Sequence, residues 1–203
     1  MSVYPVMLRG AEVEALVVGG GAVAERKTRA LLDGGARVRL VAPAIADGLQ
    51  TLAAGSAQLA LAERRYRTDD IGDALLVVAA TNRRDVNAQV AADAKAARRL
   101  VNVVDEPEEG NCVTPAVHRA GDLVVAVTAG MVPTAAARVR DAVARRLDMR
   151  YAGAVRALGR LRDRLVSRGE RAEWRRAADS LVTADFCERV ESGAFEAEVA
   201  SWH

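Results

Sequence analysis

Aromatic residues are scarce in this chain, at 3% of its 203 residues, and histidine occurs twice. A core with so few rings must be built from Val, Leu, Ile and Ala, and the 51% hydrophobic content supplies them. The two cysteines, Cys112 and Cys187, follow no disulfide or metal spacing, and no His, Cys or carboxylate cluster has the spacing of a stable metal site. No structural metal is therefore expected, and free thiols suit a reducing cytoplasm. No apolar run approaches the roughly 20 residues of a membrane helix. "MSVYPVMLRG" lacks the basic start and long apolar stretch of a signal peptide. An excess of one charge is missing too: 29 basic and 27 acidic residues leave a net +2, so no general attraction to nucleic acid is expected. Internal repeats and low-complexity segments are also absent. The expectation is a cytoplasmic protein with neither nucleic acid nor membrane as a partner.

What is present is an alternation of short apolar runs and helix-like segments. Val13–Val18, Ala36–Pro43, the stretch "AQLALAERRY", Asp73–Thr81 and Leu100–Asp105 read as strands. They are apolar on both faces, as in a parallel sheet covered on each side. Ala22–Leu32 and Arg84–Arg98 read as helices, the first ended by "DGG" at Asp33–Gly35. After the polar loop "EPEEGN", Asp122–Gly130 is a further strand, and Pro133 opens a helix running to about Leu147. From Tyr151 onward only amphipathic helices are expected. The resulting plan is α/β: a Rossmann-type domain over 1–112, a strand-helix region over 113–150, and a small helical C-terminal domain over 151–203.

"LVVGGGAVAERK" (Leu16–Lys27) carries the chemistry. Gly19, Gly21 and Ala24 fit G-x-G-x-x-A between a strand and a helix. The first glycine permits a tight turn, the second lets a pyrophosphate approach the backbone, and the small third residue lets helix pack on strand. The helix start then offers free N–H groups and a positive dipole end. Gly19, Gly20, Gly21, Ala22 and Val23 are thus candidate cofactor contacts. The carboxylate that should end the second strand and hold the ribose is missing, because the chain there reads "RLVAPA". Ribose contacts are expected from backbone near Pro43 and Ala44, or from elsewhere, and Arg37 and Arg39 leave an opening for NADP. Thr81 and Asn82, after the fourth strand, either line the nicotinamide side or serve as an ordinary helix cap.

"VVGGGAVAERK", "LVVAATNRRDVN", "VNVVDEPEEGNCVTPAVHRAGDLVVAVTAG" and "PTAAARVRDAV" occur in that order, and together they resemble the precorrin-2 dehydrogenase and sirohydrochlorin ferrochelatase family. The same unit forms the N-terminal module of siroheme synthases, whose methyltransferase module has no counterpart before His203. The resemblance extends from Tyr4 into the tail. It implies NAD-dependent oxidation of the polycarboxylate tetrapyrrole precorrin-2 to sirohydrochlorin, with ferrous or cobaltous ion as a further substrate if metal is inserted. It also implies a homodimer built around 113–150, and "DLVVAV" is apolar for an exposed edge.

The aspartate ending "NVVD" is Asp105, which the resemblance makes a general base. The plainer role is a hydrogen bond to the "EPEEGN" loop. His118, placed before a strand, is either a proton shuttle or an ordinary polar residue. Thr128 and Gly130, with backbone N–H groups near a helix start, are candidates for a substrate carboxylate. Relatives have a Ser pair and a glycine-rich turn where this chain has Thr128, Ala129, Met131 and Val132, so a side-chain contact at Ala129 is excluded. Arg138 could pair with a propionate or acetate, or sit on a solvated helix face. Eight arginines between Arg156 and Arg176 offer a basic face to a polyanion, or simply a soluble helix. The competing functional class is a nucleotide-sensing regulatory domain without catalysis. Such domains usually keep the acid after the second strand and have no use for "NVVD" and "RAGDLVVAV" together. A small hydroxy-acid dehydrogenase is a third class, but the tail is short for its substrate domain.

Overall fold

A computed structural model describes residues 2–130 and 132–202, so the departure noted at Met131 lies outside the described residues. The chain divides into two compact units, meeting in sequence at Thr114 and Pro115. The first contains β1 (Glu14–Val18), α1 (Ala22–Asp33), β2 (Arg37–Ala42), α2 (Asp47–Ala54), β3 (Leu59–Glu63), β4 (Leu76–Ala79), α3 (Arg84–Ala96) and β5 (Leu100–Val103). Its five strands form one parallel sheet in the order β3-β2-β1-β4-β5. This is a Rossmann-type fold, and the chain direction reverses its order beside β1, where such sheets bind ligands.

The continuous apolar strands are buried because both faces are covered. One layer joins Val17, Val38, Leu40 and Val78 to Ala24 of α1 and Leu49 of α2. The other joins Leu16, Val18, Val77, Val101 and Val103 to Val90, Ala91 and Ala94 of α3. Small alanines let these helices approach the sheet closely. The outer edge of β5 is covered by its own downstream chain: Asn111 accepts from the Val101 N–H at 2.7 Å and donates to the Arg99 carbonyl at 2.9 Å. A paired edge is protected from adding a foreign strand.

Helix α2 is an element that the apolar pattern does not reveal. A parallel β2–β3 pair needs a crossover, and these eight residues supply it between two strands that the sequence does reveal. Strands β3, β4 and β5 are shorter than their apolar runs, so Thr81 and Asp105 lie in loops beyond the sheet.

The second unit begins with β6 (Ala116–Ala120) and β7 (Leu123–Val127), an antiparallel hairpin turned at Gly121, whose φ is +56°. His118 therefore lies within a strand rather than before one. Helices α4 (Pro133–Ala144), α5 (Met149–Ser167), α6 (Arg171–Leu181), α7 (Phe186–Ser192) and α8 (Ala194–Ala200) follow. Most of the chain's few aromatics gather here: Phe186 and Phe195 meet edge to face at 4.9 Å, and Tyr151 and Trp174 join the same core. Among the described residues no helix is long and apolar enough to cross a membrane.

One polar knot organises the loop between β3 and β4. Asp70, 7% exposed, receives Arg64 through both carboxylate oxygens at 2.8 and 2.5 Å and the Arg67 N–H at 2.8 Å. Arg39 donates to the Asp70 carbonyl at 2.6 Å. The Arg64 guanidinium holds the Asp70 carboxyl below the usual aspartate range. A depressed native pKa stabilises the fold above the unfolded value, about 3.9, and that contribution is lost as pH falls through the native value. Asp70→Asn should lower the melting temperature at neutral pH, and the gap from wild type should close in acid, as read by thermal melts across pH.

Candidate functional site

The site grows from the exit of β1. Gly19 has φ +133°, and a side chain there would run into the Ala80 carbonyl after β4. Gly20 lies so close to the Ala44 carbonyl and the Ala42 side chain that a Cβ has no room, and its own carbonyl accepts the Ala46 N–H at 3.0 Å. Gly21 differs: nothing lies within 4 Å of where its Cβ would be. Two glycines thus close the turn against neighbouring backbone, and the third leaves open space at the helix start. Gly21 caps α1 with no side-chain hydrogen bond, and the first N–H bonded back into the helix is that of Glu25, to the Gly21 carbonyl. The N–H groups of the first turn therefore face outward at the positive end of the helix dipole, an arrangement that receives anions. Ala24, fully buried, holds α1 against β1 and β2. A pyrophosphate-bearing dinucleotide fits this cradle.

Pro43 and Ala44 follow β2 beside the turn, and Thr81 and Asn82 follow β4. Gly19–Val23, Pro43, Ala44, Thr81, Asn82 and Asp105 all belong to the C-terminal edge of one sheet. Arg37 and Arg39 do not. Arg37 starts β2 and pairs with Glu14 at the opposite end of the strands, and Arg39 is committed to the Asp70 carbonyl. The direction of the strand keeps them from the cofactor edge, since Arg37 stands five residues, roughly 16 Å, before Ala42.

No sequence motif points to Asn87, which is fully buried in α3. Its Oδ1 accepts the Thr81 N–H at 3.1 Å and meets the Thr81 hydroxyl at 2.7 Å. Its Nδ2 donates to the Thr81 carbonyl at 3.1 Å and to Asp105 Oδ1 at 2.9 Å. One amide therefore ties the loop after β4 to the loop after β5. The Thr81 hydroxyl also accepts the Arg83 N–H at 3.1 Å, a turn placed ahead of α3, whose N-cap is Arg83 with no side-chain cap bond, so neither Thr81 nor the exposed Asn82 caps that helix. Asp105 itself is exposed and hydrogen-bonds to α3 rather than to the "EPEEGN" loop, which forms a tight turn at Pro107–Glu109 held by an Arg84–Glu109 ion pair.

Below the edge, Lys27 of α1 donates to the Thr114 hydroxyl, and burial pushes its ammonium pKa down. Burial pushes the neighbouring Cys112 thiol up to about 11. Cys112 is thus a protonated thiol at neutral pH. Among the described residues no group of three or more His, Cys, Asp or Glu could hold a metal.

The remaining candidates belong to the second unit. His118 Nε2 lies 2.6 Å from the Leu147 carbonyl, so it donates its proton to the chain after α4. Thr128 and Gly130 are exposed after β7, and Gly130 has φ +51°. Arg138 is exposed on α4, about one and a half turns from its start. In the tail, Arg162 and Arg176 have acidic partners, and Arg164 donates to the Trp202 carbonyl.

Sheet order and glycine cradle define a Rossmann-type dinucleotide-binding unit. A family model described as "Putative NAD(P)-binding" matches residues 6–116, and the chain belongs to that family. Two relatives extend the likeness beyond it. "Siroheme synthase 3" of Aeromonas hydrophila is 38% identical over 188 residues, covering 91% of this chain and 40% of the relative. A "Siroheme synthase" of Nitrosomonas europaea is 33% identical over 199 residues, covering 97% of this chain and 42% of the relative. The chain thus spans about two fifths of the length of these relatives. A solved structure titled "SirC, precorrin-2 dehydrogenase" shares the fold, with a TM-score of 0.74 at 24% identity, over 98% of this chain and all of that one.

The different surroundings of the glycines predict different failures. Gly21→Ala should leave the melting temperature unchanged and weaken dinucleotide binding about tenfold or more, by crowding the approach to the charge-assisted N–H contacts. Gly20→Ala should lower both, because the loop after β2 must move. Calorimetric titration and thermal melts separate the two. Asn87→Ala should cost about 1 kcal/mol by removing the hydrogen bonds to the half-buried Thr81 backbone, as measured by denaturant unfolding.

Proposed function

We propose that the protein is an NAD-dependent precorrin-2 dehydrogenase, which oxidises precorrin-2 to sirohydrochlorin in siroheme synthesis. The observation that carries this reading is the pairing, on one sheet edge, of a dinucleotide cradle with a carboxylate held by a buried amide. The names of the relatives supply the substrate class. Bound NAD+ supplies a hydride acceptor. The chain's own groups do the rest. The first turn of α1 binds the pyrophosphate, Pro43 and Ala44 lie on the adenosine side, and Thr81 and Asn82 line the nicotinamide side.

Asp105 takes the proton that leaves the macrocycle as its hydride departs, so the balance is precorrin-2 and NAD+ giving sirohydrochlorin, NADH and a proton. Asn87 occupies Oδ1 and fixes the carboxylate, while Oδ2 carries no hydrogen bond among the described residues. General-base action from such a group is worth about 10²- to 10⁴-fold. Thr128, Gly130 and Arg138 contact the substrate carboxylates. His118, donating to Leu147, keeps Nδ1 available for a proton-relay role. The protein acts as a homodimer in the cytoplasm, through residues 113–150. In a second step ferrous or cobaltous ion is substrate and displaces two pyrrole N–H protons, one received by Asp105 and the other by solvent.

The test is an anaerobic assay with precorrin-2 and NAD+, followed by addition of the metal ion. NADH and sirohydrochlorin should appear together, and metal uptake should exceed the protein-free control. Asp105→Asn should retain NAD+ binding and lose about 10²- to 10⁴-fold in kcat. Dinucleotide binding without turnover would overturn the enzyme reading. Undiminished turnover in Asp105→Asn would remove the general base alone.

A further inference from the structure

The sheet places a carboxylate one strand away from the place where it is missing. Strand β2 ends Val41-Ala42-Pro43-Ala44, with no acid to hold ribose hydroxyls. In the parallel register, Ala42 stands opposite Glu63, the last residue of β3. Their faces agree. Val38, Leu40 and Ala42 point into the layer shared with α1 and α2, as do Leu59 and Leu61, whereas Ala62 packs on the opposite layer. Strand alternation therefore puts Glu63 on the α1 side with Ala42. The glycine turn packs directly over Ala42, since a Cβ on Gly20 would run into it. Glu63 thus projects beside the phosphate cradle, about one strand spacing, ~4.8 Å, beyond the usual acidic position.

Two other carboxylates are near. Glu25, on the first turn of α1, is held by Arg29 at 2.7 and 3.1 Å and packed against Gly48. Asp47 opens α2. Glu63 is exposed and makes neither hydrogen bond nor ion pair among the described residues. Arg64, next along the chain, turns to the other side and is neutralised by Asp70.

We propose that Glu63 replaces the missing acid of β2, accepts hydrogen bonds from the adenosine ribose hydroxyls, and repels a 2′-phosphate. This rests on the dinucleotide reading of the cradle. It assigns cofactor choice to an adjacent strand, with no counterpart needed at Pro43 or Ala44.

The experiment is calorimetric titration of the whole chain with NAD+ and with NADP+, in wild type, Glu63→Gln and Asp47→Asn, each checked by thermal melting. Wild type should prefer NAD+. Glu63→Gln should bind NAD+ about tenfold or more weakly, the loss of hydrogen bonds to a charged acceptor, with its preference over NADP+ reduced and its melting temperature unchanged. Asp47→Asn should behave as wild type. Unchanged NAD+ affinity and preference in Glu63→Gln overturns the proposal, as does a collapse of preference in Asp47→Asn instead. Binding of neither dinucleotide by wild type would overturn the cradle reading itself.

Discussion

The structure depends most on a backbone-to-backbone approach. At Gly19 and Gly20 the chain leaving β1 is pressed against the carbonyls of Ala80 and Ala44, which follow the two strands flanking β1. No side chain separates them, and the Ala46 N–H closes the gap onto the Gly20 carbonyl. That approach sets where α1 begins, and so where its free N–H groups point. It also fixes the loops after β2 and β4 relative to the cradle. The electrostatic character of the site follows from this geometry: positive partial charge from the helix start in the middle, and carboxylates displaced to either side.

Those flanking carboxylates are held differently. Asp105 is reached through Asn87, whose four polar contacts also satisfy the backbone of Thr81. The amide cannot turn without breaking these bonds, so it couples the loop after β4 to the loop after β5. Glu63 has no such fastening and relies on strand register alone. One of the two acids is thus fixed in orientation and the other is free to turn.

Much of this was legible in the residues. The apolar strands, both long helices of the first unit and the glycine signature follow from periodicity and from local chemistry that acts over a few positions. Pro133 at the first position of α4 is likewise a local effect. What was hidden is non-local. Asn87 lies inside an alanine-rich helix, where its polarity reads as solvent exposure, and only the fold brings Thr81 and Asp105 to it. Glu63 gains meaning from a partner 21 positions earlier, Ala42, through a strand register that no motif encodes. The loss of Arg37 as a cofactor contact has the same origin, since nearness in sequence to "RLVAPA" conceals that a strand carries its two ends to opposite edges.

The scarcity of rings is also uneven. Both tryptophans, Trp174 and Trp202, pack into the core of the second unit, while the dinucleotide unit has only Tyr4 and Tyr66. Tryptophan emission therefore arises wholly from the helical unit, and the Rossmann-type sheet is silent to it. The protein carries a built-in label on one half. Fluorescence follows the melting of the second unit, amide circular dichroism sums both units, and a difference between the two curves reports the first.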